Sequence, residues 1–315
     1  MHIHTIDLHF QGMPGVIAAF LLESEGQWAL IETGPGSCHD ALVTGLRAAG
    51  AEPSQVRHVF VTHIHLDHAG GAGWWAQQGA TVYCHPQAER HLLDPSKLIA
   101  SARLIYEDRM DTLWGEMLPA PAARVCALQD GEKVTIGGMD VTAWDTPGHA
   151  RHHHAYSVGD VCFTGDVAGV RLEKSAYLSV AAAPPQFDPV AYVKSVDRLA
   201  TANFQHLQLT HFGEVPDPAE HLRHYRQRIL EVHEFIKAQI ASGADEHQIR
   251  ERYATFEQEN ATRLGVSAAL WQTYQESNAT AMCADGIRLA CLKVEGQSSR
   301  PTPVEVELGL PRLGQ

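Results

Sequence analysis

The chain is short of basic residues, of paired cysteines and of long apolar runs, and each shortage removes a class of function. Its 315 residues carry 24 Lys and Arg against 37 Asp and Glu, a formal net charge of −13. With no basic surplus to neutralise phosphates, nucleic acid is not an expected partner. Cys38, Cys84, Cys126, Cys162, Cys283 and Cys291 are scattered without any C-x-x-C spacing. Such thiols read as small reduced hydrophobes, not as a disulfide framework. Apolar runs such as VIAAFLL at 16–22 are far too short to span a bilayer, so no membrane partner is expected. MHIHTIDLHF offers no basic n-region and no long apolar h-region, which makes a cytoplasmic location the default expectation. No internal repeat is present.

What the chain does have is 44% hydrophobic residues, ample for a packed core, and 20 histidines. Up to about residue 210, strand-like and helix-like segments alternate. VIAAFLLES and QWALIET read as two strands, SCHDALVTGLRAAG as an amphipathic helix ending at Gly50, RHVFVT as a strand, GWWAQQG as a helix and ATVYCH as a strand. DGEKVTIGGMDVTAWDTPGH reads as a hairpin followed by a loop, and AYSVGDVCFTGD repeats that pattern. The order predicts mixed sheets with outer helices. Residues 95–119 read as a helical insertion able to cover a cleft. From Pro216 the pattern turns helical: one helix carries Leu222, Tyr225, Ile229, Val232, Phe235, Ile236 and Ile240, a second spans about 245–260, and a third spans about 267–294 with an interruption near Gly286. The expected organisation is therefore 1–213, a helical region at 214–295 that can supply a homodimer surface, and an extended tail at 296–315.

The densest signal is THIHLDHAGG at 62–71, with three histidines and an aspartate in six residues. Composition alone predicts an H-x-H-x-D-H match roughly 0.004 times in this chain. In an extended segment His63, His65 and Asp67 point to one side, and His68 swings in as the glycines turn the chain. Imidazole and carboxylate suit divalent zinc, iron or manganese. Further donors stand where strand-like runs end: His149 in DTPGHA, Asp166 in CFTGD and His211 in LQLTHFG. The recurring order is strand, then Thr or Gly, then ligand.

The set HIHLDH, TPGHA, FTGD and LTHFG, in that order and at these intervals, resembles the metallo-β-lactamase superfamily, and within it the dinuclear hydrolases of the glyoxalase II or lactonase-like branch. The resemblance covers about residues 1–213. It implies a four-layer αββα sandwich, here with a C-terminal helical extension, and a metal centre at one edge. It further implies that His63, His65 and His149 hold one cation, that Asp67, His68 and His211 hold another, and that Asp166 bridges them. Relatives commonly carry L-I-D-T-G before the first helix, whereas this chain has LIETG with Glu32, so any bracing of a ligand from that position must differ. True β-lactamases commonly have Arg where this chain has His68, and flavodiiron oxidoreductases usually have Glu where it has His65. Of His152, His153 and His154, adjacent residues pointing different ways, none is an expected ligand.

The chemistry this implies is hydrolysis of a small carbonyl ester, thioester or lactone by a metal-bridging hydroxide, with two divalent cations per chain, zinc first and iron or manganese as alternatives. Asp67 is the candidate proton shuttle. Arg171 and Tyr177, in the apolar segment after Asp166, are the candidates to orient a small-molecule substrate. Three competing readings stay open: a mononuclear iron oxidoreductase acting on a thiol or persulfide, a phosphodiesterase of the same fold, and a binding protein whose metal is structural.

Overall fold

The period-two pattern of the first half of the chain becomes two six-stranded sheets in a computed structural model that describes residues 1–215 and 217–294. The first sheet follows chain order: β1 (His2–Asp7), β2 (Ala18–Ser24), β3 (Gln27–Ile31), β4 (Val56–Phe60), β5 (Thr81–Cys84) and β6 (Val125–Ala127). It is antiparallel from β1 to β3 and parallel from β3 to β6. Parallel neighbours need crossover connections. These are α1 (His39–Ala48), the short α2 (Leu66–Ala69) with α3 (Ala72–Gln77), and α4 (Glu89–Leu93), α5 (Ser96–Tyr106) and α6 (Met110–Trp114). The second sheet holds β7 (Lys133–Ile136), β8 (Met139–Asp145), β9 (His154–Val158), β10 (Val161–Gly165), β11 (His206–Leu209) and β12 (Gly213–Val215), again with chain neighbours side by side. Only its β10–β11 pair is parallel. Sequence patterning missed β1, β6 and β12: β1 is a partly exposed edge strand rich in polar residues, and β6 and β12 are three residues long.

Alternation along the strands decides which side chains meet. Phe20, Leu22, Ile31 and Phe60 pack with Val141, Ala143, Tyr156 and Phe163 from the second sheet, with Phe20 and Phe163 ring centres 5.2 Å apart. Their neighbours Leu21, Leu30, Val59 and Val61 face the other way, toward Leu42 and Leu46 of α1 and Trp75 of α3. Each buried Val, Leu, Ile or Phe among them contributes about 1.5–3 kcal/mol. The segment 95–119 forms α5 and α6. It is seated on nearby loops, with Trp114 stacked on Phe10 at 5.4 Å and Ser37 Oγ donating to the Leu113 carbonyl at 2.6 Å.

The chain divides into two compact units that do not follow a linear cut at residue 213. The first comprises Met1–Asp145, His152–Gly165 and Phe204–Pro216, and so holds both sheets. The second comprises Thr146–Arg151, Asp166–Asn203 and the chain from Asp217. Its helices are α7 (Pro189–Ala202), α8 (Pro218–Ala241), α9 (Glu246–Arg263), α10 (Ala268–Ser277) and α11 (Thr280–Val294). Local chemistry starts them. Asp188 accepts from Val190 and Ala191 N–H before Pro189, Asp245 and Gln248 form a capping box, and Ser267 accepts from Leu270 N–H. The expected tail at 296–315 lies outside the described residues. Among the described residues no helix is long and apolar enough to cross a membrane.

The break expected near Gly286 falls instead at Asn278, whose amide donates to Ser179 Oγ and the Val180 carbonyl. Gly286 lies inside α11 because a Cβ there would come within 1.8 Å of the Ala182 carbonyl oxygen, so the glycine answers a close approach and not a turn. Buried charge in this unit is paired: Arg228 contacts the Glu257 carboxylate at 2.5 Å.

His221 on α8 is buried, donates from Nε2 to the Ala168 carbonyl at 2.8 Å, and burial lowers its pKa from 6.5 to about 4. Because the folded-state value is the lower one, the unfolded chain takes up the proton first as pH falls. The contribution of His221 to stability is full above about pH 6.5 and is lost progressively toward pH 4, about 3 kcal/mol in all. Urea unfolding of wild type and His221→Asn from pH 7.5 to 4 should show the difference between them shrinking by that order. A difference independent of pH contradicts the assignment.

Candidate metal centre

Past the C-terminal end of β4 the backbone bends at Thr62, His63 and His65 before α2 makes one helical turn. The expected extended ligand strip is therefore replaced by a bent segment. His63 Nε2 and His65 Nδ1 converge to 3.0 Å, while the turn carries Asp67 and His68 to a different cluster with His211. There Asp67 Oδ2 lies 3.5 Å from His68 Nε2 and 3.3 Å from His211 Nε2. In the second unit His149 Nε2 and Asp166 Oδ2 are 3.3 Å apart. Two ligands of one tetrahedral zinc, with bonds near 2.0–2.1 Å, stand about 3.3 Å apart, so these separations match ligand spacing. Burial would raise the Asp67 carboxyl, but the charge and hydrogen bonds of His68 and His211 in their protonated forms outweigh it and hold it well below the usual carboxylate range; a cation on their Nε2 lone pairs would take the place of those protons.

The outer hydrogen bonds test whether these imidazoles can hold a cation. His68 Nδ1 meets Glu32 Oε1 at 2.8 Å, His211 Nδ1 meets the Val16 carbonyl at 2.8 Å, and His149 Nδ1 meets the Ala181 carbonyl at 3.0 Å. His63 Nδ1 lies 3.0 Å from Thr62 Oγ1, whose own proton goes to Glu32 Oε1 at 2.6 Å. Every partner is an acceptor, which places the ring proton on Nδ1 and presents the Nε2 lone pair as a ligand. The residues fit a divalent cation.

Glu32 is the common acceptor. Besides His68 and the Thr62 hydroxyl, it takes Thr62 N–H at 3.2 Å and Thr210 Oγ1 at 3.2 Å. Thr62 and Thr210 directly precede His63 and His211, so the repeated Thr-His dipeptide was a readable signal for this brace. Its φ of +66° is left-handed, uncommon for a non-glycine residue, and these bonds hold it there.

A cluster the sequence did not suggest joins His85, Asp145 and His154. It fails the same test. His85 Nδ1 accepts from Gln87 N–H at 3.0 Å, so its proton sits on Nε2, facing Asp145 Oδ1 at 3.3 Å. His154 belongs to this cluster, its ring centre 4.6 Å from that of His85, whereas His152 and His153 lie 6.2 and 5.0 Å from His63, so the three adjacent histidines do diverge. Arg171 donates from Nε to the Ser175 carbonyl at 2.7 Å. Tyr177 is fully buried and its hydroxyl donates to Glu257 at 2.5 Å, so the group expected to meet a substrate carbonyl is spent on a buried carboxylate.

A sequence model described as the metallo-beta-lactamase superfamily matches residues 12–204. The chain belongs to the metallo-beta-lactamase superfamily. Members of this superfamily are generally metal-dependent hydrolases, in keeping with the His/Asp clusters above. The chain is similar to a metallo-beta-lactamase fold-containing protein of Sulfurisphaera tokodaii, 29% identical over 145 residues, which cover 45% of this chain and 54% of that protein. It thus spans about half the length of the curated relatives it matches. In fold it is similar to a metallo-beta-lactamase family protein from Thermus thermophilus, with a TM-score of 0.66, 21% identity and 96% of each chain covered. It is similar also to an archaeal superfamily protein from Sulfolobus tokodaii, with a TM-score of 0.63, 20% identity, and 91% and 98% of the two chains covered. The two mixed sheets and their helices are the superfamily fold with C-terminal helices added.

If Glu32 fixes the tautomers of His63 and His68, Glu32→Gln should lower metal affinity about 10–100-fold, because an amide turns one acceptor into a donor. Competition against a chelator measures this. Affinity unchanged in a folded Glu32→Gln protein would show that the brace is not needed.

Proposed function

We propose that the chain is a dinuclear metal-dependent hydrolase of small carbonyl esters, thioesters or lactones, close in chemistry to the glyoxalase II and lactonase-like branch. His63, His65 and His149 would hold one cation, Asp67, His68 and His211 the other, and Asp166 would serve both. The observation that carries this reading is the Asp67, His68 and His211 cluster, spaced like ligands and with the imidazole protons turned outward. Nitrogen and carboxylate donors without cysteine suit zinc, with iron and manganese as alternatives.

Two bound divalent cations supply an acidified water and polarise a carbonyl oxygen at neutral pH. The chain itself contributes five neutral imidazoles and two carboxylates, fewer negative charges than the cations bring, so the loaded site favours a developing oxyanion. Asp67, which a bound cation would keep ionised in place of the His68 and His211 protons, carries a proton only in passing and returns it to the leaving group. Arg171 is the side chain we assign to orienting a substrate carboxylate or carbonyl. Tyr177 supports the helices through Glu257.

Protein purified without added metal should contain near two equivalents of divalent metal per chain. A screen over lactones, thioesters, esters and phosphodiesters should find turnover on a carbonyl substrate, abolished by His65→Ala and by Asp166→Ala. Turnover retained in both variants overturns the reading. One iron per chain with oxygen uptake on a persulfide replaces it with the redox alternative, and turnover confined to phosphodiesters replaces it with a phosphodiesterase.

A further inference from the structure

The second unit contains a hydrogen-bonded chain that starts at one assigned ligand and ends at the other. The Tyr192 hydroxyl donates to the backbone carbonyl of Asp166 at 2.5 Å and lies 2.7 Å from the Tyr225 hydroxyl. With the Tyr192 proton spent on Asp166, Tyr225 is the donor between the two phenols. The Tyr225 oxygen accepts from Ala181 N–H at 3.3 Å, and the carbonyl of Ala181 accepts from His149 Nδ1 at 3.0 Å. From Ala181 N–H through both phenols to Asp166 the donors all point one way, the arrangement in which each bond polarises the next.

Backbone space has been cleared for both rings. A Cβ on Gly148, next to His149, would lie 2.2 Å from Tyr192 Cα, and one on Gly169, three residues after Asp166, would lie 2.1 Å from the Tyr225 ring. One turn earlier on α8, His221 holds the Ala168 carbonyl, so residues four apart on one helix face grip the same loop. Both tyrosines are fully buried, and burial raises both phenols, which keeps them protonated donors. Phenylalanine would fill the same volume, so the hydroxyls have work beyond packing.

We propose that Tyr192 and Tyr225 are positioning residues for metal binding, setting the separation of the His149 imidazole and the Asp166 carboxylate from within α7 and α8. The inference rests on the assignment of His149 and Asp166 as ligands. Neither phenol touches the reacting atoms. Tyr192 acts through the Asp166 backbone, and Tyr225 acts through Tyr192 and through Ala181, whose carbonyl meets His149.

Titration of the metal-free full chain with Co²⁺, followed by its visible absorption bands, tests this without recourse to turnover. Tyr192→Phe and Tyr225→Phe should each weaken one of two Co²⁺ equivalents about tenfold and shift its bands, while Tyr253→Phe, a buried tyrosine in the same unit outside the chain, stays within about twofold of wild type. The double variant Tyr192→Phe/Tyr225→Phe should be little worse than either single one, since both remove links of one chain. Should Tyr192→Phe fail to fold, Tyr225→Phe decides alone, judged against its circular dichroism. Wild-type affinities and bands in folded Tyr225→Phe overturn the proposal. Asp166→Ala separates the two levels: two unaltered Co²⁺ equivalents in that variant reject the ligand assignment itself, whatever the tyrosines do.

Discussion

One buried carboxylate organises the first unit. Glu32 is 1% exposed and collects bonds from Thr62, His68 and Thr210, residues distant in sequence that stand beside or among the candidate ligands. A carboxylate taken out of water is costly unless its lone pairs are met, and here they are met by the groups whose placement matters. The same bonds put the proton of His68 on Nδ1 directly and that of His63 on Nδ1 through the Thr62 hydroxyl. Stabilising the fold and preparing the imidazoles for a cation are thus a single interaction. The extra methylene relative to aspartate is accommodated at a left-handed backbone position, which lets the carboxylate reach all three segments.

The second unit solves the same problem with different parts. His149 and Asp166 sit on loops at 146–151 and at the start of 166–203. Backbone carbonyls, tyrosine hydroxyls and glycine-cleared space hold them. The helices that follow are stabilised by ordinary means, capped starts, apolar faces and a paired Arg228 and Glu257, and their cores carry the tyrosines that reach the ligand loops. The helical region, which periodicity alone could treat only as a packing surface, is in this way tied to the loops that carry His149 and Asp166.

Outer partners also separate one histidine cluster from another. His85, Asp145 and His154 are as close together as the candidate ligands, and distance alone would rank them equally. The backbone N–H of Gln87 on His85 Nδ1 reverses the tautomer, so the nitrogen facing the cluster carries a proton. Proximity is necessary for a metal site, but the direction of the proton decides.

Much of this was written locally. The H-x-H-x-D-H run, the strand ends that deliver His149, Asp166 and His211, the alternation that sorts Phe20 from Leu21, and the caps of the late helices are all short-range features, governed by periods of two and 3.6 residues and by turn chemistry. The sequence alone therefore determined the fold class, the candidate ligands and the absence of any cysteine among them. Tertiary structure decided what depends on residues far apart: that residues 146–151 and 166–203 belong with the C-terminal helices, that Gly286 serves a contact with Ala182, that the Tyr177 hydroxyl goes to Glu257, and that Glu32 binds three segments at once. The reason is physical: a hydrogen-bond partner 80 or 178 residues away leaves no trace in local periodicity, because only the packed core brings it within reach.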